Sequence, residues 1–168
     1  MRRELVAAAL ILAGCASAPA APPPPPGAPV DFSLAIWASG QQHSFADDRG
    51  HVVVLDAWAT WCTPCQAQLP QLDALARRWA SRGVRVYAAS IDQNAEAVQP
   101  FLLTMHIDLP ILLDPGGKTL TQMLGLKNMP TTWVIDPDGH VVLTEDSATT
   151  IAAVEAKVNM LLGAPSGS

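Results

Sequence analysis

Two cysteines three residues apart, Cys62 and Cys65, bracket Thr63 and Pro64 in the run Trp61-Cys62-Thr63-Pro64-Cys65. A pair at this spacing can cycle between dithiol and disulfide, with a thiolate as the attacking species. Three blander uses compete with that reading. A zinc site needs further ligands, but the segment after residue 30 has no other cysteine, and His43, His51, His106 and His140 show no ligand spacing. No metal and no organic cofactor are therefore expected. A structural staple closing so short a loop would restrict the unfolded chain little. A coincidental pair is set against by its context, a strand pattern before it and a helix pattern after it.

That context is the machinery that must position the pair. Residues 52–59 are nearly all apolar, as in a central strand buried on both faces. The cysteines follow directly, at the start of a helix whose Leu72, Leu75, Ala76 and Trp79 form one apolar stripe. Arg77, Arg78 and Arg82 suit its carboxyl end, and Gly83 stops it. A helix start offers free N–H groups and partial positive charge, which favour a thiolate. Cys62, nearest that start and beside Trp61, is expected to attack. Cys65, one turn deeper, is expected to resolve the mixed disulfide.

The remaining pattern alternates strands and helices. Residues 31–46 read as short strands around a turn at Ser39-Gly40, and residues 47–50 as a second turn. Residues 84–91 form another buried strand. Val98, Phe101, Leu102 and Met105 have helical spacing, with Pro100 starting or kinking that helix. A short strand over 110–113 and a short helix over 118–124 follow. Strands at 131–135 and 141–144 flank Asp136-Pro137-Asp138-Gly139, a hairpin signal. Ile151, Val154, Val158, Leu161 and Leu162 give a last amphipathic helix. Met105, Met123 and Met160 read as core packing.

The chain has 168 residues, 49% hydrophobic and 15% charged, with a formal net charge of -5. That suffices for one packed domain and shows no basic stripe for nucleic acid. Arg2 and Arg3 precede an apolar run over residues 5–13, too short to span a bilayer and suited to a signal peptide. Leu12-Ala13-Gly14-Cys15 resembles a bacterial lipobox, in which the cysteine becomes the lipid-bearing first mature residue. Seven of the 15 prolines then fall between Pro19 and Pro29. Such a stretch is a semi-rigid spacer, about 45 Å long over residues 15–29 at about 3.1 Å per residue. The expected division is a signal peptide over 1–14, a lipidated cysteine and linker over 15–30, a folded domain over 31–163 and a tail over 164–168.

The run Val54-Leu55-Asp56-Ala57-Trp58-Ala59-Thr60-Trp61-Cys62-Thr63-Pro64-Cys65 resembles the thioredoxin active-site segment. Pro70 matches the proline that kinks the active-site helix in that family, and Met129-Pro130-Thr131-Thr132 resembles its cis-proline loop. The longer stretch from Asn94 to Leu124, with Leu113-Asp114-Pro115-Gly116-Gly117-Lys118, is similar to the membrane-anchored TlpA/ResA-like reductases, including those of cytochrome c maturation. The resemblance covers roughly residues 31–162. It implies a thioredoxin-like three-layer α/β fold: a central mixed sheet flanked by helices, with an N-terminal hairpin and a central αβ insertion.

It also implies roles. Asp56, a carboxylate inside an apolar strand, would be the general base toward Cys65, with a pKa raised by desolvation. The bland reading is an Asp facing water at a strand end. Many anchored relatives are expected to carry Asn at this position and an acid between the cysteines. This chain has neither, so its proton path looks closer to thioredoxin's. Trp61, Thr63, Pro64, Met129 and a cis Pro130 would line the substrate face, with Asn128 where the family often has Gly. Trp58 reads as core. The implied activity is a thiol–disulfide oxidoreductase on the periplasmic side of the envelope. It would be a monomer held to a membrane by its lipid anchor, reducing disulfides of exported proteins such as apocytochrome c. It would draw electrons from a membrane donor of the thioredoxin-reductase relay type. An oxidase or isomerase, or a copper-handling thiol chaperone, is the alternative. A thiol peroxidase is disfavoured, because the Pro-x-x-x-Thr-x-x-Cys pattern fails at Leu55 and Ala59.

Overall fold

The computed structural model describes residues 25, 27–146 and 151–163. Cys15, the lipobox and most of the proline-rich stretch lie outside the described residues.

Seven strands form one sheet in the order β2-β1-β5-β4-β3-β6-β7. β3 (Val53–Trp58) lies near the middle, parallel to β4 (Arg85–Ser90) and antiparallel to β6 (Thr131–Ile135). All six residues of β3 are buried, which is why its sequence lacks polar alternation. β1 (Ser33–Ile36) and β2 (Gln42–Ser44) make the N-terminal hairpin, docked antiparallel on β5 (Ile111–Leu113). β7 (Val141–Glu145) closes the other edge through a turn in which Asp136 Oδ1 accepts the N–H groups of Asp138 and His140.

Strand alternation sends side chains to two cores. One holds Val54, Trp58, Val86, Ala88 and Val134 against α1 (Thr63–Trp79), α2 (Val98–Met105) and α4 (Ile151–Gly163). The other holds Val53, Leu55, Ala57, Ala89 and Trp133 against Phe45 and against Leu120 of α3 (Lys118–Leu124). The result is the three-layer arrangement that the resemblance implies. Pro100 sits in the first turn of α2, where its missing N–H costs no helical bond. Phe101 of α2 stacks on Trp58 with ring centroids 5.2 Å apart, so this helix covers the central strand.

Two local readings need correction. The strand pattern expected to run to residue 46 stops at Ser44, and Phe45–Asp48 forms a single 3-10 turn of helix that takes in the first half of the turn expected over 47–50. Its buried Asp48 accepts from His43 at 2.9 Å, from Tyr87 at 3.1 Å and from Arg85, tying the hairpin region to β4. Met160 is 66% exposed and is not core. It lies off the stripe made by Val154 and Val158, on the outer face of α4. No helix among the described residues is long and apolar enough to cross a membrane.

Candidate active site

The carboxyl end of β3 delivers the dithiol. Beyond Trp58 the chain turns, with the Cys62 N–H donating to the Ala59 carbonyl at 3.1 Å, and enters α1. Cys62 is the N-cap of that helix, and its sulfur accepts the Cys65 N–H at 3.3 Å. Pro64 falls in the first turn, where no helical N–H is needed. Cys62 and Cys65 are joined by a disulfide. Cys62 lies at the edge of an open cleft, 6% exposed, whereas Cys65 is fully buried. Access alone therefore makes Cys62 the sulfur an incoming group can reach. The same helix N-terminal N–H groups would stabilise its thiolate on reduction.

The loop that carries Cys62 is held from behind. Asp92, just past the end of β4 and buried, accepts the Thr60 N–H at 3.0 Å and the Thr60 hydroxyl at 2.7 Å. Ser90 Oγ donates to the same carboxylate at 2.8 Å. Gln66 Nε2 donates to the Thr60 carbonyl at 2.7 Å. Thr60 is thus fixed at its amide, its hydroxyl and its carbonyl, two residues before the cap cysteine.

Further back along β3 lies Asp56. It shares the α1-facing side of β3 with Val54 and Trp58, and it stands opposite Thr132 in the β3–β6 register. Its Oδ1 accepts from Thr132 Oγ1 at 2.6 Å and from Gln68 Nε2 at 2.8 Å, and Gln68 follows Cys65 by one helical turn. Its Oδ2 is buried without a partner. Complete desolvation pushes its pKa up from 3.8 to about 7, and the Thr132 and Gln68 hydrogen bonds hold it from rising further. The carboxyl faces the core, not water, and near neutral pH it can either hold or release a proton.

Across the cleft the Met129–Pro130 peptide bond is cis, and the Asn128 carbonyl accepts the Thr131 hydroxyl at 2.7 Å. Met129 and Asn128 line the cleft with Trp61, Thr63 and Pro64, around a volume of about 630 Å³. Pro130 itself is buried behind them. Trp61 is 65% exposed, a large apolar surface left open beside Cys62, whereas Trp58 is fully buried. Of the expected site residues, Trp61, Cys62, Thr63, Pro64 and Met129 share one cleft, Cys65 is joined to Cys62, Asp56 is linked to the cysteine-bearing helix through Gln68, and Pro130 is buried rather than lining the cleft. Among the described residues no group of three His, Cys, Asp or Glu side chains could hold a metal ion.

Residues 26–144 match the family model described as AhpC/TSA. The chain belongs to the AhpC/TSA family. It is 31% identical over 103 residues to the thiol-disulfide oxidoreductase ResA of Bacillus thuringiensis subsp. konkukian, covering 61% of this chain and 59% of that protein. It therefore spans about three-fifths of the length of that relative. It is 30% identical over 132 residues to the thioredoxin-like protein YneN of Bacillus subtilis, covering 77% and 76% of the two chains. Among solved structures, a thiol:disulfide interchange protein of the thioredoxin family from Chlorobium tepidum superposes with a TM-score of 0.69 at 26% identity, covering 85% of this chain and all of that one. The fold of this AhpC/TSA family member is thioredoxin-like.

Sequence reasoning missed Gln68, Thr132, Thr60 and Asp92. A signal for Gln68 was present: the stripe at 72, 75, 76 and 79 extends back through 69, 68 and 65 at helical spacing, which places Gln68 on the buried face. Asp92 follows the apolar run of β4 at the carboxyl edge of the sheet, where α/β proteins assemble their sites.

Proposed function

We propose that the chain is a protein disulfide reductase acting through Cys62 and Cys65. The observation that carries this reading is the disulfide itself: a cleft-edge cysteine capping α1, a buried partner one turn in, and a buried carboxyl with a pKa of about 7 on the same side of the sheet. The reduced protein would react in two steps. The Cys62 thiolate attacks one sulfur of a substrate disulfide, forming a mixed disulfide and expelling the other sulfur as a thiolate. Cys65 then gives up its proton to Asp56 and attacks Cys62 Sγ, releasing the second substrate thiolate. Substrate receives two electrons and leaves as two thiolates that take up protons from solvent, Asp56 returns the proton taken from Cys65 to solvent, and the protein is left with the Cys62–Cys65 disulfide. An external dithiol donor must reduce it again.

The lipobox at Cys15 and the proline-rich spacer support a site on the periplasmic side of the envelope, tethered to a membrane. There the donor would be a membrane thiol relay and the substrates disulfides of exported proteins, apocytochrome c among them. The domain would act as a monomer. Equilibration with glutathione or dithiothreitol tests the direction of the reaction. A reduction potential near or below about -250 mV supports a reductase, and one near about -120 mV makes it an oxidase.

A further inference from the structure

The cleft beside Cys62 has a one-sided charge. Its wall combines the exposed Trp61 indole with Ile91, Leu126 and Met129, and among the described residues the only charged one lining it is Lys127. The two carboxylates behind the site do not offset that charge at the surface: Asp56 and Asp92 are buried and face hydrogen-bond donors inside the fold. The chain as a whole is acidic, with a net charge of -5 and only three lysines, so a lysine at this place runs against the composition.

Lys127 is also well placed. It lies between Leu126, which is buried and whose N–H donates to the Leu120 carbonyl at 3.3 Å, and Asn128, whose carbonyl is held by Thr131. The loop therefore fixes its backbone at the cleft rim, while its side chain is exposed and forms no ion pair among the described residues. An ammonium with no ion-pair partner among the described residues, next to an apolar wall, fits a peptide bearing both an apolar and an acidic side chain.

We infer that Lys127 is a specificity-determining residue, and that the cleft selects disulfides in extended peptide segments with an apolar neighbour for Trp61 and an Asp or Glu for Lys127. This rests on the reductase reading above. The test uses synthetic peptides with one cysteine carried as its methyl disulfide, flanked by Leu and either two Glu or two Lys. Each peptide is mixed with the reduced protein, and formation of the peptide thiol and methanethiol is followed as a second-order rate constant. Exposed ion pairs set the scale: the acidic peptide reacts roughly five-fold faster than the basic one at low salt, and the ratio falls toward one as added salt screens the pair. Lys127→Glu inverts the preference. Lys157→Glu, the same change in net charge on α4 beside the far end of α1, keeps it. Equal rates for the two peptides with the wild-type protein overturn the inference, as does an equal shift in both variants, which would assign the preference to net charge. Failure of the reduced protein to react with either peptide removes the reductase reading and the inference with it.

Discussion

Replacing Asp56 by Asn isolates the energetic cost of the buried carboxyl. The amide keeps the shape and still offers an oxygen to Thr132 and Gln68. What it lacks is the ability to ionise. In the wild-type fold the pKa is raised from 3.8 to about 7, so the folded state holds a proton that the unfolded state gives up much earlier. Below about pH 3.8 both states are protonated and the stability is fully present. As pH rises toward 7 the unfolded chain ionises while the fold does not, and stability falls by about 1.4 kcal/mol per unit. Above 7 the loss levels off at roughly 4 kcal/mol, a large part of a typical domain's total. Asp56→Asn escapes this. Its unfolding free energy minus that of the wild type should therefore increase by roughly 4 kcal/mol between pH 3.5 and 8. Urea unfolding of both oxidised proteins, followed by far-ultraviolet circular dichroism across that range, measures the difference with all other titrating groups cancelled. A difference that stays flat within about 1 kcal/mol would refute the assignment of a desolvated carboxyl.

Four further outcomes follow from the same geometry. Asp56→Asn should remove the limb near pH 7 from the pH profile of disulfide reduction, and an unchanged profile would take Asp56 out of the proton path. Gln68→Ala leaves Asp56 Oδ1 with Thr132 alone; it should destabilise the fold by about 1–3 kcal/mol and move the Asp56 transition upward, as read by the same urea series. Asp92→Ala strips the partners from Thr60 and Ser90 and should cost about 2–4 kcal/mol together with slower attack by Cys62, whereas Asp92→Asn should recover part of both. Gly139→Ala would place a methyl at a φ of +89° within 2.1 Å of the Arg49 guanidinium, which donates to the Val30 carbonyl; a fall of about 1–2 kcal/mol is expected in thermal or urea unfolding.

The parts of the site that the sequence made legible are those whose residue types are out of place locally. Two cysteines at a strand–helix junction, an aspartate inside an apolar strand and a proline before a strand all stood out against their neighbours. Thr132 did not, because a threonine in a strand is unremarkable until burial is known, and Gln68 showed only through its place on the backward extension of the apolar stripe of α1. Asp92 looked like an ordinary loop residue after β4. Only the parallel pairing of β3 with β4 brings it behind Thr60, 32 positions away in the chain. The strand order was equally hidden, since β5 comes late in sequence yet inserts between β1 and β4. The periodicity of α4 showed its buried face but not that Met160 would fall outside it.

The central claim is that Cys62 attacks and Cys65 resolves, and trapping the mixed disulfide tests it most directly. Reduced Cys65→Ser and Cys62→Ser proteins are incubated with a peptide disulfide and analysed by intact-mass spectrometry without reductant. The account predicts that Cys65→Ser accumulates a single peptide adduct, released by dithiothreitol, while Cys62→Ser stays unmodified because its remaining thiol is buried. Adducts on Cys62→Ser alone would reverse the roles, and adducts on neither would contradict the account outright.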